Sequence, residues 1–107
     1  MPADHEVKIQ FDGNTVKPAL PTVMNVGETV SYLPDAGNIK VSAFKIEFPT
    51  GSPFKGVSQI SDSSPRKLEI GGKFQCRCSM TLADGRVVGW DAVANPESGG
   101  VHDVQPN

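Results

Sequence analysis

The 107-residue chain predicts an all-β fold: an antiparallel two-sheet sandwich of about seven to nine short strands. Three observations carry this. Apolar and polar residues alternate with period two in segment after segment, which places one side of a strand against a core and the other in water. No window of helical length carries apolar residues at i, i+3, i+4 and i+7. The 11 glycines and 9 prolines are spread along the chain, as turn punctuation requires, and do not gather into a linker.

The elements follow in order. EVKIQF (6–11) sets Val7, Ile9 and Phe11 against Glu6, Lys8 and Gln10, a half-buried strand closed by the turn Asp12-Gly13-Asn14. TVKPALPTVMNV (15–26) carries Pro18 and Pro21. A proline has no N–H to give to a ladder, so this segment is expected at a sheet edge and interrupted. Residues 29–33 form a strand between Gly27 and Pro34. In NIKVSAFKIEF the alternation slips: Ile39, Val41 and Ala43 share one parity, Phe44, Ile46 and Phe48 the other. One extra residue near Ala43 would reconcile them, because a bulge flips every later side chain. Residues 49–56 and 61–66 are loops. KLEI and KFQCRCSMTL are strands separated by Gly71-Gly72. Asp84-Gly85 between two alternating runs signals a hairpin with a type I′ turn. A short last strand is expected at 101–104, with residues 1–5 and 95–107 otherwise loose ends of a single domain, 1–107.

Charge narrows the function classes. Ten basic against twelve acidic residues leave a net charge of −2, and the basic ones are scattered without interleaved aromatics, so no nucleic-acid partner is expected. The apolar runs are too short to span a membrane. The N-terminal MPADHEVKIQ lacks the cationic and apolar regions of a secretory signal, so a cytoplasmic protein with reduced thiols is expected; a trimmed exported chain is the alternative.

Cys76 and Cys78 raise the main chemical question. Residues i and i+2 of a strand share a face, so Phe74, Cys76, Cys78 and Met80 line one side and Gln75, Arg77, Ser79 and Thr81 the other. The first reading is two small apolar side chains in a core wall. A disulfide is disfavoured, since i and i+2 in an extended strand lie at the upper limit for bridging. A soft-metal site, copper(I) or zinc, would use Cys76, Cys78 and Met80, with His102 as the further donor. Redox chemistry would need a partly exposed thiol of low pKa.

The stretches VKPALPTVMNVGETVSYL and GKFQCRCSM resemble the early strands and the late strand of cupredoxin-like domains. Immunoglobulin-like sandwiches show the same rhythm, with a G-x-F-x-C stretch on a late strand. The cupredoxin resemblance implies a copper site of two histidines and a cysteine, and those ligands do not carry over: no histidine lies between His5 and His102, and none follows Cys78 closely. The immunoglobulin resemblance implies an inter-sheet disulfide, and no second cysteine lies on an earlier strand.

No catalytic constellation is present. Asp103 and His102 are neighbours that point to opposite faces of a strand, no serine lies in a G-x-S-x-G elbow, and GGK at 71–73 lacks the rest of a phosphate loop. A non-enzymatic interaction or accessory module is therefore expected, with no cofactor and a protein partner of unknown identity. Its contact candidates are Phe48 and Phe54, which flank a proline-kinked loop, with the alternative that Phe54 caps the end of the core, and Trp90, the single tryptophan, whose parity with Val88 and Ala92 gives it a core alternative. Glu97, His102 and Asp103 could hold a cation if the tail folds back.

Overall fold

A computed structural model of the chain describes residues 3–13, 15–89 and 99–106. They form ten strands and no helix: β1 (His5–Phe11), β2 (Val16–Pro18), β3 (Met24–Asn25), β4 (Thr29–Asp35), β5 (Val41–Glu47), β6 (Gln59–Ile60), β7 (Arg66–Lys67), β8 (Gly72–Leu82), β9 (Val87–Gly89) and β10 (Gly99–Gln105). One sheet has the order β2-β1-β4-β7. The other runs β3-β10-β8-β5-β6, with β9 also on β8. The all-β two-sheet sandwich expected from the alternation is the fold, with more and shorter strands than expected. It is not wholly antiparallel: β1 runs parallel to β4, and β3 parallel to β10.

The N-terminal third shows how prolines direct the chain. β2 lies at the edge of its sheet, and Pro18, opposite Ile9, ends it. The chain then crosses to the other sheet for β3 and returns for β4. Gly27 makes that return at φ 98°, donating its N–H to Leu68 O at 2.8 Å. Pro34 was expected to follow the fourth strand and instead lies within it, opposite Ile9. The reason is local. β7 pairs only with Thr29 and Val30, so beyond them the side of β4 away from β1 has no described ladder for a proline to interrupt.

β5 carries the expected bulge. Val41 lies opposite Leu82 and Ala43 opposite Thr81, which leaves Ser42 as the extra residue. Its hydroxyl donates to Thr81 O at 3.1 Å. Val41 thus faces the core on one side of the bulge, and Phe44, Ile46 and Phe48 face it on the other, while Ala43 is turned outward. Ile39, expected in this strand, precedes it and is exposed.

The hairpin falls at Asp84-Gly85 with a different turn. Leu82 N donates to Arg86 O at 2.8 Å, Gly85 N donates to Leu82 O at 2.9 Å, and of the loop residues only Gly85 has positive φ, 95°. This is a three-residue loop, a type I turn closed by a left-handed glycine, and not the two-residue type I′ turn.

The described residues of the expected loose ends carry structure. Asp4 Oδ2 accepts from Thr29 N at 2.9 Å, and His5 opens β1 with Nε2 3.0 Å from Glu28 Oε1. β10 starts at Gly99 and runs past the expected 101–104 to Gln105. The core lies between the sheets, from Val7, Ile9, Val30 and Tyr32 on one side to Phe44, Ile46, Cys78, Met80 and Val104 on the other.

Candidate functional site

β8 is the central strand of its sheet, with β10 along its first half and β5 along its second. Its burial alternates residue by residue from Phe74 onward. Cys76, Cys78, Met80 and Leu82 are buried, while Gln75 is exposed and Arg77, Ser79 and Thr81 are half-buried on the other face. The thiol face is therefore an inner wall of the sandwich. Both cysteines are free thiols, with relative exposures of 6% for Cys76 and 1% for Cys78.

The antiparallel register of β10 on β8 brings His102, the further donor named beside the thiols, onto their wall. Gly100 lies opposite Cys76 and His102 opposite Phe74. His102 is two residues on from Gly100, so its side chain joins the same inner face, and it is 0% exposed. Its Nε2 shares a 2.9 Å hydrogen bond with Tyr32 Oη from the opposite sheet. Nδ1 is buried with no hydrogen bond of normal geometry. Phe48 packs edge-on against the imidazole at 5.0 Å between centroids, and Phe54 closes the cluster edge-on against Tyr32 at 6.3 Å and against Phe48 at 5.9 Å.

The electrostatics of this cluster are those of a closed pair of thiols. Cys76 is the thiol that ionises first. Its pKa is lowered chiefly by a hydrogen bond from the Cys78 thiol and then by the facing His102 imidazole and the Gly100 N–H, against the opposing cost of burial. Cys78 is pushed up, because it supplies that hydrogen and is itself desolvated beside a developing thiolate. Burial also pushes the Tyr32 phenol up, with the neighbouring thiol charges adding to it. Tyr32 thus remains a neutral hydroxyl bonded to His102.

Among the described residues no group of three or more His, Cys, Asp or Glu side chains is arranged to hold a metal ion. Met80 lies on the same wall, fully buried. Asp103, next to His102, points the other way and accepts from Gln105 Nε2 at 2.9 Å.

The contact candidates are placed differently from the expectation. Phe48 and Phe54 are each 3% exposed and serve as core side chains, so Phe54 takes its core-capping alternative and the reading of the two as surface contacts is corrected. Phe54 reaches the core from a loop because that loop is fastened: its own N–H donates to Ser52 Oγ at 3.0 Å, and Pro53 O accepts from Glu69 N at 2.9 Å and Ile70 N at 3.1 Å. Trp90 and Glu97 lie outside the described residues. Tyr32 was not singled out in the sequence. The alternation of Val30 and Tyr32 places it inward, but only the packing of the two sheets brings it to His102.

Comparison with protein-family models, with curated proteins and with solved structures finds no match to this chain.

Proposed function

We propose that this protein is a small non-enzymatic β-sandwich that works as a binding or accessory module, through its surface and not through its thiols. One observation carries the reading. The side chains able to do chemistry, Cys76, Cys78, Met80 and His102, are all buried in the core wall, with His102 satisfied in part by Tyr32. A carrier or a thiol oxidoreductase has to expose its sulfur to a donor, an acceptor or a substrate. No helix among the described residues is long and apolar enough to cross a membrane. Two free cysteines agree with a reducing compartment, which supports the cytoplasmic reading.

The two parallel pairs count against one of the two sandwich types that the sequence resembles, which leaves the cupredoxin-like one as the proposed topology. Immunoglobulin constant-type sheets are antiparallel, whereas β1–β4 and β3–β10 are parallel pairs. The copper ligand set does not come with that resemblance, since His5 is tied to Glu28 and His102 to Tyr32.

The test is intact-mass spectrometry of the native protein purified without reductant, before and after addition of copper(I) or zinc. The module reading expects an unmodified mass and no stoichiometric metal adduct. One equivalent of tightly held metal would replace it with the soft-metal carrier on Cys76, Cys78 and Met80. A mass lower by two hydrogens would replace it with the redox reading.

A further inference from the structure

The loop that carries Phe54 and the segment around β7 enclose two shallow hollows that share Phe54 and Val57. The first, of about 300 Å³, is lined by Lys55, Val57, Pro65, Arg66, Lys67 and Glu69. The second, of about 340 Å³, adds Ser52, Ser58 and Ile70. Their common wall is held in place from below. The Phe54 ring is seated among Tyr32 and Phe48, and Pro53 O is bonded to both Glu69 N and Ile70 N. The surface is thus already formed before any ligand arrives, which lowers the ordering cost of binding.

The two ends of this surface differ in chemistry. At one end three cations meet a single lining carboxylate, Glu69. Arg66 bonds Asp62 at 3.1 Å through one terminal nitrogen, but its buried Nε has no hydrogen-bond partner. Lys55 and Lys67 are exposed and make no ion pair among the described residues. At the other end Ile70 is 43% exposed, beside half-buried Val57 and the hydroxyls of Ser52 and Ser58. In a chain of net charge −2 this is a local excess of positive charge next to an apolar step.

We propose that these adjoining hollows bind an acidic peptide segment of another protein, its carboxylates against Lys55, Arg66 and Lys67 and one apolar side chain against Val57 and Ile70. The inference rests on the binding-module reading and names its site and partner class. Charge complementarity selects the acidic segment. Two adjoining shallow hollows of about 300 and 340 Å³ have room for a few side chains and not for a folded domain. Both Lys55 and Lys67 are solvent-exposed, so their reversal leaves the core intact.

The experiment is selection of a phage-displayed random peptide library against the wild-type protein and against Lys55→Glu/Lys67→Glu, followed by titration of one enriched synthetic peptide. The expected peptides combine several Asp or Glu residues with a Leu, Ile or Phe. The titrated peptide shifts amide resonances of residues 52–58 and 65–70, weakens with added salt, and loses roughly tenfold in affinity for the double variant. Peptides that bind the variant equally well, or that shift another face, overturn the groove while leaving the module reading in place. Enrichment of nothing at all counts against both. The same resonance shifts produced by inorganic phosphate alone at low concentration would replace the peptide with a small anion.

Discussion

Replacing Tyr32 by Phe removes one oxygen and leaves the ring in place, so it isolates the hydrogen bond to His102. That bond is 2.9 Å long and joins two fully buried side chains across the sandwich. Without it His102 has no hydrogen bond of normal geometry at either nitrogen, since Nδ1 already lacks one. A buried polar group left unsatisfied costs about 1–3 kcal/mol, and a deeply buried imidazole belongs in the upper half of that range. The expected loss for Tyr32→Phe is therefore about 2 kcal/mol, or a drop in Tm of roughly 8–16 °C for a domain of this size. His102→Leu leaves the Tyr32 hydroxyl unpaired and costs a similar amount, plus its edge-on contact with Phe48. The double variant removes both polar partners and is expected to cost about 1–2 kcal/mol less than the sum of the singles. Urea unfolding followed by far-UV circular dichroism reads all four proteins. Additivity of the two singles within about 0.5 kcal/mol would refute the argument, because it would mean that β10 does not present His102 to Tyr32.

Two further perturbations test the packing and the surface charges. Gly89 has φ 100°, and a Cβ there would lie 2.6 Å from Cys78 O and 2.8 Å from the Val16 side chain, whereas at Gly85, φ 95°, it would meet nothing. Gly89→Ala is thus expected to cost about 3–4 kcal/mol and Gly85→Ala about 1–2 kcal/mol, and equal losses in thermal unfolding would contradict the close approach of β9 to β8 and β2. Glu47 has its pKa held below the ordinary 4.5, first by its hydrogen bond with Lys45 and then by Arg77, with partial burial opposing. A lowered carboxylate contributes stability above its unfolded pKa and loses it as pH falls through the folded one. The wild type should therefore lose stability on acidification below about pH 4.5 more steeply than Glu47→Gln, and parallel urea profiles would contradict the Lys45–Glu47–Arg77 arrangement.

What could be read from the sequence was whatever depends on local pattern. The alternation of Phe74 to Leu82 gave the buried face of β8 correctly, because period two is dictated by strand geometry whatever the strand pairs with. The parity slip at Ala43 located the bulge for the same reason, and Pro18 located an edge. Features that depend on pairing were out of reach. Pro34 inside β4 is tolerated only because β7 stops at Val30, and nothing near Pro34 announces where β7 ends. His102 fell in the expected last strand at 101–104, but its partners, Phe74 across the ladder and Tyr32 across the core, are distant in sequence and could not be assigned from it. Phe48 and Phe54 were contact candidates because a proline-rich loop between aromatics reads as surface, with capping of the core open as the alternative for Phe54. The loop is fastened through Pro53 O, which turns Phe54 inward. The turn type at Asp84-Gly85 was missed by one residue, which a dipeptide signal cannot resolve.

The central claim, that Cys76 and Cys78 are core wall and not working thiols, is tested most directly by pulse labelling of native protein with a thiol reagent, read by intact mass. Both residues are all but inaccessible, in the same core as the hydrogen-bonded and fully buried His102 and Tyr32. The account predicts no label until denaturant is added, then two labels per chain, acquired together at the rate of global unfolding. Rapid single labelling of the native protein, at the lower-pKa Cys76, would contradict it and return the function to the thiols.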